Sequence, residues 1–239
     1  MTKKIKTDLH IHTKEDPQDF WHIKYTAKEL IDKAKIKNIK IISITLHNKV
    51  LENKEITQYA KKQGIFLIKG TEKTIEGHHV LIYGITNNEN KKIKNFNDLK
   101  KIKRKKNILI IAPHPYYPNI LGHKNLHSKV EKYKELFDAI EIQQLYTKIY
   151  NPNKKAIKTA KKLKKGIIAN SDAHNIKYFG EHYTNLELPP KYTQKDIFEA
   201  IKNNKTQIIT KPKTLIQTLI YLKKHIHTRK IIKKIFKKN

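Results

Sequence analysis

The chain has 239 residues, a length that suits one domain of barrel size or two small ones, and 38% of them are hydrophobic, which is enough for a core. It contains no cysteine, which excludes disulfides and thiolate metal sites, so a metal would need imidazole and carboxylate ligands of the kind that suit Zn, Mn or Fe. The formal net charge is +31, but only Arg104 and Arg229 among the 52 basic residues are arginines, which base readout and bidentate phosphate binding prefer. We therefore interpret most of the charge as a general lysine bias, with a polyanionic partner as the alternative.

In chain order, β-rich runs alternate with amphipathic helical runs. The predicted strands are Ile5–His10, Ile39–Leu46, Ile65–Lys69, Val80–Ile85, Ile108–Ala112, Ala139–Gln143, Ile167–Asn170 and Gln207–Thr210. The predicted helices are Thr26–Lys37, Asn53–Gln63, Phe96–Lys106, Leu126–Leu136, Asn153–Lys165 and Thr193–Asn203. Thr26 and Glu29 form a predicted capping box, and Gly64 and Gly166 are predicted to end helices. This alternation predicts a parallel sheet, either closed into a barrel or open and doubly wound, and in both cases ligands bind at the carboxyl ends of the strands.

The last segment, residues 211–239, is predicted to form a basic amphipathic helix. Its apolar residues fall on one helical stripe and its lysines and histidines on the other face, so it either packs on the preceding domain or docks on an anionic membrane surface or an acidic partner. No run approaches the ~18 apolar residues of a membrane span, and no apolar signal segment follows the basic N-terminus. We therefore expect a cytoplasmic protein without a transmembrane segment.

Nearly every predicted strand carries a histidine or an acidic residue at one of its ends. In the first strand, His10 and His12 point to the same side of an extended chain and form a chelating pair. The other residues of this kind are Asp8, Asp16, His47, Glu72, His78, His79, His114, Glu141, Asp172 and His174. One such residue alone is a weak signal, but ligands from many strands converge if the sheet closes into a barrel.

Five short segments, in order along the chain, resemble the motifs of the polymerase and histidinol phosphatase (PHP) family. They are Asp8–Thr13, Thr45–Asn48, Gly70–Glu72 with His79–Leu81, Ala112–Pro115 and Ser171–His174. The resemblance implies a distorted TIM-like (βα)7 barrel over residues 1–210 and a site for two or three divalent metal ions (Zn, Mn or Fe), with Glu72 as the bridging carboxylate. The metal ligands that it implies by position are His10, His12, Asp16, His47, Glu72, His79, His114, Asp172 and His174.

Two positions depart from the family pattern. Leu46 stands where the family usually has Asp beside the histidine of the second motif, which predicts a weaker orientation of His47. The acidic ligand after the first motif often comes five residues past the second histidine, but that position here is Pro17. We expect Asp16 to take this role, with Glu15 as the alternative; in the same way, His78 is the rival to His79.

The resemblance further implies a phosphoesterase that hydrolyses a phosphomonoester, histidinol-phosphate-like or a nucleotide, by a metal-bound hydroxide. His114, His174 and Asp172 are the candidate catalytic residues, and either histidine is suited to protonate the leaving oxygen. The residues that follow motif ends are candidates for binding the substrate phosphate, or else ordinary surface residues: Lys49, His123, Lys124 and Lys177. The expected partner is a small phosphorylated substrate, and the sequence does not indicate an oligomeric state.

Three alternatives stay open at this point. The first is a 3′–5′ exonuclease or another nucleic-acid phosphodiesterase on the same fold, which would give the basic charge a purpose. Aromatic residues able to stack bases, or to pack at the rim, are Trp21, Tyr25, Tyr116, Tyr117, Tyr146 and Tyr150. The second is a non-catalytic RNA-binding relative, against which the nearly complete ligand set argues. The third is an amidohydrolase, which usually has a lysine ligand and a single late Asp.

Overall fold

The computed structural model describes residues 1–117, 124–214 and 216–219. Its strands are β1 (Lys3–Ile11), β2 (Ile41–Ile44), β3 (Phe66–Leu67), β4 (Gly70–Ile75), β5 (His78–Tyr83), β6 (Leu109–Ala112), β7 (Ala139–Ile142), β8 (Gly166–Ala169), β9 (Tyr183–Leu188) and β10 (Thr206–Ile209). Its helices are α1 (Ala27–Ile36), α2 (Lys54–Lys62), α3 (Asn87–Lys92), α4 (Phe96–Lys105), α5 (His127–Lys132), α6 (Asn153–Lys162) and α7 (Gln194–Lys202). None of the helices in these ranges combines the length and apolarity that a membrane crossing requires.

The strands form two five-stranded sheets, in the orders β10-β9-β1-β2-β3 and β4-β5-β6-β7-β8. Pairing is parallel within β1-β2-β3 and β6-β7-β8, and antiparallel at the other four contacts. The prediction of a mixed α/β fold is confirmed, but the sheets do not close into the predicted (βα)7 barrel. The physical reason is that β4–β5 and β9–β10 return antiparallel, whereas a βα barrel needs every strand parallel.

Two isolated bridges join the sheets near the ends of their strands. Ile11 pairs with Ala173, and His47 pairs with Glu72. Each bridge includes or adjoins a residue of the motifs found in the sequence. The seam between the sheets therefore brings those motifs together.

The predicted strands and helices are found with shifted ends, but β4, β9 and α3 were not predicted. Strand β4 has few apolar residues, and it joins β5 through a tight turn in which Glu76 and Gly77 have φ angles of 52° and 83°. The capping box at Thr26 and Glu29 is present at the start of α1.

The two glycines expected to end helices differ in their role. Gly64 follows α2 with a φ of 70°, as predicted. Gly166 instead lies inside β8, and Lys164, with a φ of 52°, takes the left-handed position after α6. A Cβ at Gly166 would lie 2.1 Å from the carbonyl oxygen of Ile201, so close packing against α7 requires glycine there.

Most of the predicted C-terminal helix lies outside the described residues, because residues 215 and 220–239 are not among them. Within residues 211–214, the side chain of Lys213 is buried and its backbone N–H donates to the carbonyl of Tyr146 at 2.8 Å. This contact brings the chain after β10 to the loop that follows β7. The division into residues 1–210 and 211–239 stays a prediction.

Candidate metal centre

Hydrogen bonds hold the first and last motifs in one register. The carboxylate of Asp8 accepts the backbone N–H of Ser171 at 3.1 Å, across 163 residues of chain. The backbone N–H of Leu9 donates to the side-chain oxygen of Asn170 at 2.8 Å. All four residues are buried, so the carboxyl ends of β1 and β8 are fixed side by side.

The carboxylate of Glu72 lies at the middle of a histidine cluster and is almost fully buried. Its Oε2 is within 3.4 Å of the Nε2 atoms of His10, His12 and His47. Its Oε1 is 2.8 Å from Nδ1 of His79 and 3.5 Å from Nε2 of His114. Glu72 therefore lies between two groups of imidazoles, as the bridging position predicted for it requires.

Asp172 lies on the other side of the same imidazoles. Its Oδ1 is 3.4 Å from Nε2 of His10, 3.6 Å from Nε2 of His12 and 3.6 Å from Nδ1 of His174. Asp172 and His114 both have positive φ angles, 47° and 31°, in the left-handed region that costs a non-glycine residue free energy. Such conformations concentrate at functional sites, where the surrounding structure maintains them.

The donor geometry fits a divalent metal ion. The Nε2 atoms of His10 and His12 are buried and make no hydrogen bond. They lie 3.2 to 3.6 Å from Glu72 Oε2 and Asp172 Oδ1. Ligand atoms ~2.1 Å from a shared tetrahedral ion are ~3.4 Å apart, so these four side chains match the spacing of one coordination sphere.

The imidazole of His10 is oriented from behind by Glu141. The Nδ1–H of His10 donates to the two carboxylate oxygens at 3.1 and 3.2 Å, and Asn170 donates to the same carboxylate at 2.7 Å. This contact leaves Nε2 of His10 facing the centre, which is how carboxylates commonly support metal-binding histidines. The sequence drew attention to Glu141 as a strand-end residue but did not assign it to the site.

Asp16 supports two further histidines. Its Oδ2 accepts Nδ1–H of His12 at 2.9 Å, Nδ1–H of His47 at 3.0 Å and the backbone N–H of His47 at 2.9 Å. Its Oδ1 accepts two more backbone N–H groups, from Gln18 and Asp19. Asp16 thus lies at the centre, where its Oδ2 orients two imidazoles and its Oδ1 accepts backbone N–H groups, and its role as a metal ligand stays a prediction.

These contacts also bear on the two departures from the family pattern. We expected Leu46 to leave His47 without a supporting contact, but Asp16 accepts a hydrogen bond from Nδ1–H of His47. The side chain of Leu46 is fully buried in an apolar cluster. Glu15, the alternative to Asp16, instead accepts the backbone N–H of Ala27 at the start of α1, 3.0 Å away. Its carboxylate therefore satisfies a backbone N–H group at the start of α1.

Asp19 is a functional candidate that the sequence did not reveal. Its Oδ2 is 3.1 Å from Nε2 of His174 and 3.6 Å from Nδ1 of His47, and its Oδ1 is 3.7 Å from Nδ1 of His22. It lies in the irregular segment between β1 and α1, where an analysis of strand ends does not reach. The signal that would have identified it is a second acidic residue three positions after Asp16.

The remaining predicted residues are placed as follows. His79 contacts Glu72, whereas His78 lies on the opposite face of β5, where burial and the charge of Lys129 lower its pKa. Lys124 is exposed and lines a small cavity together with His79 and His114. Lys49 is exposed, and the exposed Lys177 lies 4.7 Å above the ring of Tyr178. His123 lies outside the described residues.

The electrostatics of the cluster favour bound cations. Burial disfavours a charge on His10, but the carboxylates around it, that of Glu141 foremost, outweigh burial and raise its pKa well above the usual value. Burial likewise disfavours ionised Glu72, but the histidines around it, His79 foremost, hold its pKa well below the usual range. The buried carboxylate of Glu72 thus stays ionised, and its negative charge favours the binding of cations among the histidines.

Comparisons with known proteins place this centre in a wider context. The model of a family described as PHP-associated matches residues 151–206. The uncharacterized protein MJ1587 of Methanocaldococcus jannaschii is 35% identical over 123 residues, which cover 48% of this chain and 70% of that protein.

Solved structures of other proteins share the fold of this chain, and two of them illustrate the similarity. A two-domain protein from Bacteroides vulgatus that contains a predicted PHP-like metal-dependent phosphoesterase superposes with a TM-score of 0.66 at 19% identity, covering 87% of this chain and 65% of that one. The lesion-specific endonuclease PfuEndoQ from Pyrococcus furiosus superposes with a TM-score of 0.58 at 15% identity, covering 86% of this chain and 58% of that one. This chain therefore spans less than two thirds of either protein.

Proposed function

This chain belongs to the polymerase and histidinol phosphatase (PHP) family, and on that basis we propose that it is a metal-dependent phosphoesterase that hydrolyses a phosphomonoester, histidinol-phosphate-like or a nucleotide. The observation that carries the proposal is the pair of buried Nε2 atoms of His10 and His12, which make no hydrogen bond and face Glu72 and Asp172. Two buried imidazole nitrogens left without a partner are costly unless a ligand completes them.

We assign the ligands to three groups. His10, His12, Glu72 and Asp172 would hold one ion; Glu72, His79 and His114 would hold a second. Asp19, His22 and His174 would hold a third, while Nε2 of His47 faces Glu72. The donor set suits Zn, Mn or Fe. When bound, such ions supply Lewis-acid polarisation of a phosphoryl group and a nucleophile derived from water.

The residues of the chain supply orientation and a proton. Glu141 and Asp16 fix the tautomers of His10, His12 and His47, so that each Nε2 is presented to the centre without reorganisation during the reaction. The proton for the leaving oxygen would come from whichever of His114 and His174, at 15% and 21% side-chain exposure, does not hold an ion. The exposed Lys124 beside His114 attracts the phosphate.

The experiment is a comparison of metal content and turnover. The purified protein is loaded with Mn²⁺ or Zn²⁺, and phosphate release is measured from a panel of phosphomonoesters, alongside nucleotide release from single-stranded DNA and RNA. We expect His10→Ala to lose both bound metal and phosphate release. His78→Gln, at the neighbouring position on the opposite face of β5, is the matched control and is expected to retain both.

A nucleic-acid phosphodiesterase is the second candidate. The fold similarity to a lesion-specific endonuclease and the net charge of +31 favour it. Nucleotide release from single strands without phosphate release from any monoester, also lost in His10→Ala, would establish this candidate instead. Folded protein that binds no metal and shows no turnover would point to the non-catalytic, RNA-binding alternative.

A further inference from the structure

A cleft of about 470 Å³ opens beside the metal centre. We call it the tyrosine cleft, and its main lining residues are Tyr116, Tyr117, His127, Ile149, Tyr150 and Lys155. Its volume falls within the range of sites that bind small organic ligands.

The tyrosine cleft adjoins the centre and shares lining residues with it. The ring of Tyr117 lies 5.4 Å from the ring of His114. Tyr117 and Asn125 line both this cleft and the smaller cavity that contains His79 and His114. A phosphoester whose phosphate lies at the centre would therefore extend its leaving group into the cleft.

The walls of the cleft present aromatic and apolar surface in fixed positions. The hydroxyl of Tyr116 hydrogen-bonds to Thr159, and its ring stacks on His127 with the centroids 5.8 Å apart. Ile149 and Tyr150 are 87% and 58% exposed, although large apolar side chains are usually covered. Reciprocal hydrogen bonds between Thr147 and Tyr150 hold this exposed pair in a tight turn.

The polar groups of the cleft distinguish among leaving groups. Lys155 is the charged residue of its described lining, which contains no carboxylate. Histidinol phosphate carries an ammonium group, which needs an acidic partner, and the described lining offers none. A neutral planar heterocycle suits aromatic walls with amide groups, such as those of Asn125 and Asn151, at their edges.

Gln143 adds an unused amide on the side of the centre. It follows β7 two residues after Glu141, so it projects to the same side of the strand as the carboxylate that supports His10. Its side chain is buried, and neither its oxygen nor its nitrogen has a hydrogen-bond partner. Asn153 fixes its backbone through two hydrogen bonds. The amide thus offers its NH₂ group as a donor and its oxygen as an acceptor to a bound molecule.

Given the proposed phosphoesterase function, on which this inference rests, we propose that the tyrosine cleft binds the base of a nucleoside leaving group and that the amide of Gln143 binds a part of the substrate nearer the centre, so that the substrate is a mononucleotide. The base stacks among Tyr116, Tyr117 and Tyr150. The amide of Gln143 pairs with a donor and an acceptor of the substrate. An aliphatic phosphomonoester would use the metal centre but leave the cleft empty.

The first test compares nucleoside 3′- and 5′-monophosphates with ribose 5-phosphate, which has the sugar and phosphate but no base. We expect kcat/KM to be ~5- to 150-fold higher for the nucleotides, the range that one base–aromatic stack supplies. Tyr150→Ala should reduce this ratio, whereas Gln143→Ala should lower kcat/KM for all of these substrates. Ile36→Ala, which truncates an exposed apolar residue at the end of α1, should leave the ratio unchanged.

Equal kcat/KM values for ribose 5-phosphate and the nucleotides would overturn the inference but not the proposed function. A preference for histidinol phosphate, or faster cleavage of oligonucleotides than of mononucleotides, would also overturn it. The second test separates the two ideas: binding of adenosine and of ribose to the metal-free protein is measured by calorimetry. Binding of adenosine alone, weakened in Tyr150→Ala, would support the cleft even if no ester were hydrolysed; equal binding of ribose would count against it.

Discussion

Replacing Asp16 by Asn should disrupt the centre without changing the size of any side chain. The two carboxylate oxygens of Asp16 accept hydrogen bonds from five N–H groups. An amide has only one acceptor oxygen, so its NH₂ group faces either the three buried donors at the Oδ2 position or the two partly buried backbone N–H groups at the Oδ1 position. Each buried donor left without an acceptor costs about 1–3 kcal/mol. We therefore expect the free energy of unfolding to fall by about 2–5 kcal/mol, and metal affinity to fall ~10- to 100-fold because His12 and His47 lose their orientation.

Metal affinity is measured by competition with a chelator, and stability by urea unfolding of the metal-free protein. Asp32→Asn is the matched control, because Asp32 accepts a hydrogen bond from Tyr59 on the surface, away from the centre. An Asp16→Asn protein with unchanged metal affinity and unchanged stability would show that Asp16 does not orient the two histidines.

Three other substitutions test separate parts of the structure. Glu72→Gln should lower the bound metal per chain and reduce phosphate release more than ~100-fold, as checked by elemental analysis and activity, with circular dichroism to confirm the fold. Burial, with a smaller effect of Lys213, lowers the pKa of His182 to about 4, so the unfolded chain takes up a proton that the folded chain does not. Stability should therefore fall by ~2 kcal/mol between pH 7 and pH 5, and this loss should be absent from urea unfolding of His182→Gln. Gly166→Ala would place a Cβ 2.1 Å from the carbonyl oxygen of Ile201 and should cost on the order of 3 kcal/mol by the same assay.

The sequence predicted the part of the site that depends on strand ends. His10 and His12 share a side because strands alternate, and Glu72 and Asp172 converge on them because each follows or begins a strand at the same edge. The order of the motifs along the chain made this convergence predictable without coordinates. The mixed α/β architecture followed from the same alternation of strands and helices.

The rest depended on contacts that periodicity does not encode. Asp19 reaches His174 from an irregular loop, and the choice between Asp16 and Glu15 was decided by which carboxylate the start of α1 recruits. Strand β4 was missed because four of its six residues are polar, and one of them, Glu72, lies in the site. The sheets do not close because β4–β5 and β9–β10 pair antiparallel. The spacing of apolar runs in the sequence does not distinguish antiparallel neighbours from strands joined by a parallel crossover.

The two bridges between the sheets give the metal centre a mechanical role. His10 ends and His12 follows β1, and His47 follows β2, in one sheet, whereas Glu72, His79 and His114 belong to strands β4 and β5 or follow β6 in the other. Ions held between these groups would link the two sheets across the seam. Occupancy of the candidate metal centre would then couple the opening of one sheet to the opening of the other, and so raise the cooperativity of unfolding.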